Sequence, residues 1–387
     1  MKKTLKKVSV LFITLAMVLG LTACGGADYT SENTEYVIGV SGPLTGDAAV
    51  YGVAVKNAAQ MAVDEINEAG GLNGIKFKLE ATDDTHDAKK VATNYATMYE
   101  GGMQVSLGTV TTAPGLEYSK LSAEDNVFFL TPSASGDDIP AEDNGFQMCF
   151  ADGNQGKVAA DYVNSLGLKE IGIFYKSDDP YSNGIYKQFK DNLDKSIKTV
   201  EAVFMGKSQD FSAQITTLKD CSFIFMPIYY QPASVFMTQA KDTIAADAIY
   251  YGCDGFDGLA GQFKDFSVIP QEVSMLSHFD SNATEGAAAD FVKKYTEKYG
   301  TDTLNQFGAS AYDCVYAIYN AMKAAVDAGE EIDVTISASD LCEILKAQFT
   351  GGFSYSGVTG NDITWEDNGY VSKEAVKYTL KEANSAQ

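Results

Sequence analysis

Arginine is absent from the 387-residue sequence, so lysine supplies every fixed positive side chain. The planar fork that grips phosphate or carboxylate bidentately is therefore missing, and any anionic ligand must be held by other donors. Positive charge is scarce as well: 29 lysines face 52 acidic residues, for a formal charge of −23. No nucleic acid partner is expected on that balance, because phosphates would meet repulsion rather than counterions. Only two histidines occur, His86 and His278, distant in the chain, and the six cysteines show no CxxC spacing. No zinc or other metal site is expected from such a set, and no cofactor. Cys149, Cys221, Cys253, Cys314 and Cys342 read as mostly buried small hydrophobes, and the set leaves room for one extracellular disulfide whose pairing sequence alone does not assign. Gly39-Val40-Ser41-Gly42 stops short of the dinucleotide fingerprint, no phosphate-binding lysine loop is present, and neither histidine sits in a nucleophile pattern. An enzyme is accordingly not expected. Beyond the N-terminus no apolar run approaches the about 20 residues needed to cross a bilayer.

What is there begins with Lys2, Lys3, Lys6 and Lys7, an apolar run from Val8 to Leu19, and the small-residue stretch Leu21-Thr22-Ala23-Cys24-Gly25. That layout is a secretory signal over residues 1–23, its apolar run too short for a membrane span. The tetrad Leu21 to Cys24 resembles the bacterial lipobox, which implies cleavage before Cys24 and acylation of its thiol. Residues 24–35 would then be a lipidated tether, held by about 0.8 kcal/mol per buried methylene at the extracytoplasmic face of the cell membrane. Loss of the four lysines in residues 1–23 takes the formal charge from −23 to −27. The remaining length suits two lobes, each large enough for its own core.

Residues 36–40 form a β-type run, and Val55, Ala58, Ala59, Ala62, Val63 and Ile66 then recur at helical spacing until Gly70-Gly71. Ile75, Phe77, Leu79 and Ala81 alternate with polar residues, the period of a strand with one wetter face, and complete a βαβ unit. The alternation continues with a helix over 87–99, a strand over 105–107, a helix over 114–124 and a strand over 127–130. Buried strands follow over 171–175, 200–204, 223–226, 249–251 and 273–276, separated by helical segments. Helices over 284–299, 307–328 and 338–348 precede a last strand over 376–380. The expected fold class is α/β, two doubly wound parallel-sheet lobes joined by a three-segment hinge. Lobe 1 is assigned 36–151 plus 279–356 and lobe 2 is assigned 152–278 plus 357–387, with crossings near 149–153, 276–280 and 357–360.

Ile38-Gly39-Val40, Pro43-Leu44-Thr45-Gly46, Tyr51-Gly52, Ala62-Val63-Asp64-Glu65-Ile66-Asn67 and Gly70-Gly71-Leu72-Asn73-Gly74 stand in order, followed by Asp83-Asp84. Thr131-Pro132-Ser133-Ala134-Ser135, Tyr181-Ser182-Asn183-Gly184 and Gly357-Val358-Thr359-Gly360 come later. Together these blocks closely resemble the leucine/isoleucine/valine-binding protein family, solute-binding proteins of ABC importers with the type I periplasmic-binding-protein fold. The resemblance covers essentially the whole mature chain, and it implies a monomer that traps a small amino-acid ligand and delivers it to ABC permease subunits.

In a doubly wound sheet, ligands bind beyond the carboxyl ends of the strands, where loops feed helix N-termini. Two such loops here are rich in hydroxyls, Thr109-Val110-Thr111-Thr112 and Thr131-Pro132-Ser133-Ala134-Ser135. Hydroxyls and amides at helix starts can hold a carboxylate without arginine, although the same residues are ordinary turn formers. Carried over from the family, the contacts to a ligand carboxylate are Thr112, Ser133, Ala134 and Ser135, with Thr112 replacing a more usual serine. The family's acceptor for the ligand ammonium falls on Asp254, where members often carry glutamate; Asp257 is the competing carboxylate. Tyr51, Tyr181, Tyr229, Tyr230 and Phe307 fall at or beside positions where the family lines its cleft with rings. The other readings in play are a sensor that docks on a receptor, and the same fold taking a small amide, urea or purine.

Overall fold

The computed structural model describes residues 33–381; the signal segment, Cys24 and most of the tether lie outside them. In chain order the elements are β1 (Tyr36–Gly42), α1 (Ala49–Glu68), β2 (Phe77–Asp83), α2 (Val91–Glu100), β3 (Val105–Ser106), α3 (Thr112–Glu124), β4 (Phe129–Thr131) and β5 (Gly145–Gln147). Next come α4 (Asp152–Ser165), β6 (Glu170–Lys176), α5 (Pro180–Asn192), β7 (Lys198–Phe204), α6 (Ser212–Leu218), β8 (Phe223–Met226), α7 (Tyr230–Ala240), β9 (Ile249–Gly252) and β10 (Glu272–Ser277). Three helices, α8 (Gly286–Tyr299), α9 (Gln306–Ala328) and α10 (Ala338–Thr350), precede β11 (Val376–Lys381).

The strands form two sheets, in the orders β2-β1-β3-β4-β5 and β11-β10-β9-β8-β6-β7. Every pairing is parallel except that of β10 with β11, so the expected α/β class with two doubly wound sheets is what the chain adopts. Parallel strands covered by helices on both faces need apolar residues throughout, and all of β1 is buried while the edge strand β2 is mostly half-buried. Strand order reverses at β1 in the first sheet and between β6 and β8 in the second. Those are the switch points at which adjacent loops diverge and leave a crevice.

Three departures from the sequence reading have simple causes. The helix expected over 87–99 is split, because the Asp87 side chain accepts from Lys89 N and caps a separate 3-10 turn, Ala88–Lys90, before α2 begins. Helix α3 starts at Thr112 rather than at 114, since a proline within the first turn removes an amide that has no intrahelical partner anyway. The third difference concerns how the chain passes between the sheets, which it does after β5, after β10 and after α10, with α8, α9 and α10 returning to the first sheet. Gly357–Gly360, expected at the third crossing, stays with the first sheet: Val358 N, Thr359 N and Thr359 Oγ1 all donate to Asp313 of α9 at 2.5–2.8 Å. Trp365 Nε1 also donates to Gln147 O at 2.8 Å, and Gln147 N donates to Gly369 O at 2.9 Å. The chain reaches the second sheet only at β11, past the buried Lys373.

Candidate ligand-binding cleft

The carboxyl ends of β3 and β4 carry the two hydroxyl-rich loops, and side chains stitch them together. Thr131 Oγ1 donates to Thr109 O at 2.9 Å and accepts from Ala134 N at 3.0 Å, while Ser133 Oγ donates to Val110 O at 2.7 Å. That bond spends the Ser133 proton on the loop and fixes the loop's shape. Ser135 bonds the buried carboxyl of Asp152, the first residue of α4, and Asp152 N returns a bond to Ser135 O at 2.8 Å. Thr112 Oγ1 also faces Asp152, at 3.5 Å. Burial first, and the Asp254 charge second, push the Asp152 carboxyl well above the usual carboxylate range, toward its neutral form.

The opposite wall comes from the second sheet. After β9 the chain makes a 3-10 turn, Asp254–Phe256, whose first side chain is buried. Asp254 Oδ1 accepts from Tyr181 Oη at 2.6 Å, Tyr181 Oη accepts from Gly255 N at 2.9 Å, and Asp254 N donates to Gln155 Oε1 at 3.0 Å. Only glycine lets this turn close on the ring, because a Cβ on Gly255 would lie 2.7 Å from Tyr181 Oη and 3.0 Å from Ile228 O. Burial raises the Asp254 carboxyl to about 6, and its hydrogen bonds, all from neutral donors, pull it back only in part.

Rings close the space between the walls. Tyr51 of α1 crosses edge-on to Phe307 at 4.8 Å and to Tyr230 at 4.9 Å, and Tyr181 stacks on Tyr229 at 4.4 Å with 12° between planes. Tyr51 Oη donates to Gly255 O at 2.6 Å, which ties the first sheet's helix directly to the turn that carries Asp254. Between them lies a cavity of about 190 Å³. Ser133 and Ser135 line one side, Asp254 and Tyr181 the other, and Tyr51, Tyr229 and Phe307 the remainder.

The sequence-derived set is thus largely brought to one space, with three exceptions. Thr112 faces Asp152 behind the lining, Ala134 is fully buried, and Tyr230 packs behind Tyr51. Asp257 is engaged elsewhere, accepting from Gln306 N at the start of α9 at 2.9 Å. Sequence reasoning missed Asp152 and Gln155, which the first turn of α4 presents without any motif, and Val110, the apolar residue between two threonines that joins the lining. Cys149, Cys221, Cys253, Cys314 and Cys342 are all buried and unpaired.

A family model described as periplasmic binding protein matches residues 35–376. The chain belongs to this family. It is similar, at 28% identity over 361 residues covering 90% of this chain and 95% of the relative, to the Leu/Ile/Val-binding protein BraC3 of Rhizobium johnstonii. Among solved structures it resembles the branched-chain amino acid transporter substrate binding protein LivJ of Streptococcus pneumoniae in complex with isoleucine, with 25% identity and a TM-score of 0.76 over 89% of this chain and 100% of that one. A leucine binding protein, LivK, of Thermotoga maritima gives 22% identity and a TM-score of 0.77, covering 90% of this chain and 96% of that one. These periplasmic binding proteins are binding proteins rather than enzymes by name, and their fold is the two-sheet fold described above. No helix of the described residues is long and apolar enough to cross a membrane.

Proposed function

We propose that the protein is the extracytoplasmic solute-binding component of an ABC importer, anchored through lipid on Cys24, and that it closes on an α-amino acid with a branched-chain or similar apolar side chain. The observation that carries this reading is Asp254: a buried carboxyl with only neutral partners, across a small cavity from Ser133 and Ser135. An ammonium placed there meets the acceptor whose charge nothing else balances. The ligand carboxylate is assigned to the Ser133 and Ser135 hydroxyls, whose protons would turn to it from Val110 O and Asp152; the Ala134 amide stays on Thr131 Oγ1, and Thr112 supports the loop through Asp152. Asp152 held toward its neutral form repels that carboxylate little. Both ends of a zwitterion must be paired on leaving water, or burial costs several kcal/mol. The two ends belong to different lobes, so full pairing requires closure.

The hinge of that motion is assigned to three strands, near 149–153, near 277–280 and at 372–376. Phe150 and His278 already touch edge to face at 5.2 Å. Permease subunits would read the closed shape, and a micromolar affinity asks only for about −8.2 kcal/mol. The names of the relatives, which bind leucine, isoleucine and valine, support the apolar side chain.

Titration calorimetry of the mature protein with leucine, isoleucine and valine tests this. Binding of at least one is expected, with Asp254→Asn weakening it by at least about thirtyfold because the ammonium is left unpaired. Binding of a neutral amide that survives Asp254→Ala, with no response to amino acids, would replace the amino-acid reading by the amide one.

A further inference from the structure

A second hollow of about 600 Å³ lies between the lobes beside the ligand cavity. Ala48 and His86 line it from the first lobe, and Phe204, Lys176 and Pro232 from the second. Of all the residues lining the two spaces, Tyr229 alone is common to both. We propose that Tyr229 is the partition that sets the upper size of the ligand's side chain, and that the outer hollow is the space a larger side chain would enter if the partition were removed. The inference rests on the amino-acid reading above.

The outer hollow is the roomier of the two spaces, about 600 Å³ against about 190 Å³. One ring therefore stands between the ligand cavity and a larger adjoining space. The ring stands at the end of the loop after β8, immediately before α7, on the second sheet's switch point. Tyr181, from the same lobe, covers its face, and His86, from the other lobe, meets its edge at 5.3 Å and 85°. His86 is in turn fixed by Thr111 Oγ1 at 2.9 Å from Nδ1, and burial depresses its pKa to about 4, so a neutral imidazole abuts the ring. The clamp on Tyr229 is complete only when the lobes meet, so the size limit is imposed by closure rather than by the open cleft.

The Tyr229 hydroxyl is buried without a hydrogen-bond partner. Among the described residues nothing uses its oxygen, whereas Tyr51 and Tyr181 spend theirs on the Asp254 turn. The ring, rather than the hydroxyl, is what the fold retains at this place. Beyond it the outer walls combine the apolar Ala48, Phe204 and Pro232 with the charged Asp47, Asp179, Lys176 and Lys207, so a larger side chain entering there meets both apolar and polar wall.

Calorimetry of the mature protein against valine, leucine, phenylalanine and tryptophan, with Tyr229→Ala and Tyr229→Phe, reads this directly. Wild type is expected to favour leucine over tryptophan. Tyr229→Ala should raise tryptophan and phenylalanine affinity relative to leucine at least tenfold, and Tyr229→Phe should keep the wild-type ranking. Tyr229→Leu, of intermediate bulk, serves in place of alanine if the latter does not fold by circular dichroism. A folded alanine or leucine variant with the wild-type ranking overturns the partition, as does a wild type that takes tryptophan as well as leucine. A wild type that binds no amino acid at all sinks the functional reading together with this one, whereas unchanged ranking in a binding-competent protein sinks this one alone.

Discussion

Asp254 is held at about 6 by burial, well above the 3.8 of an ordinary aspartate, before any cation arrives. A ligand ammonium pairs with the ionised form only, so protons compete with the ligand below that value. Affinity should be flat above about pH 7 and fall by roughly tenfold per pH unit well below 6, the slope of one competing proton. Asp254→Asn should abolish the slope along with most of the affinity; calorimetry across that range distinguishes the two. Asp254 became visible in the sequence only through its place in a family block, because an aspartate before a glycine is equally a turn residue. Asp152 and Gln155 had no such block around them. Their importance comes from a long-range meeting with Asp254 and Ser135, and no periodicity within α4 encodes what the helix start will face.

Among the elements, α9 has the most revealing end. Asn305 caps it from its own chain, accepting from Phe307 N and Gly308 N at 3.1 and 3.0 Å, yet the Gln306 amide is taken by Asp257 Oδ2 from the other lobe. A first-turn amide favours a carboxylate, both as donor and as the positive end of the helix dipole. Asp257→Ala would leave that amide unpaired in the closed form, a cost of about 1–2 kcal/mol. Since the contact bridges the lobes, ligand affinity should drop by roughly five- to thirtyfold, with little change in the melting temperature of the ligand-free protein. A large loss of stability with unchanged affinity would mean the contact belongs to the core and not to closure. The sequence placed α9 at 307–328, one residue from its observed start at Gln306. It placed β3 at 105–107 but missed β5, because a strand of three residues has too few positions to display a period. Nor could it show that Gly357–Gly360 bonds to Asp313, a pairing made by two segments distant in sequence.

For the molecule as a whole, an arginine-free, strongly acidic chain has buried several carboxyls with few cations to balance them. Asp84, Asp179, Asp254 and Asp257 are each raised to about 6, chiefly by desolvation. A carboxyl raised in the folded state binds its proton more readily folded than unfolded, so stability increases as pH falls from about 6 toward the unfolded value near 4. Glu65, Asp83 and Glu201 are instead lowered by hydrogen bonds, with help from lysines at Glu65 and Glu201, and act in the opposite sense. Their stabilisation is complete above the ordinary carboxylate range and is lost only as pH drops below it. The two groups therefore work in adjoining windows. The melting temperature of the ligand-free protein should climb from about pH 7 to about pH 5 and fall below about pH 4, with relief of net negative charge adding to the climb. Ligand should flatten the climb, because an ammonium on Asp254 stabilises the ionised carboxyl that burial penalises. A series of thermal scans with and without leucine measures both effects. If stability instead rose steadily from pH 5 to pH 8 without ligand, the buried carboxyls would have to be ionised and paired in a closed, internally neutralised site, and Asp254 would have no charge to offer an incoming ammonium.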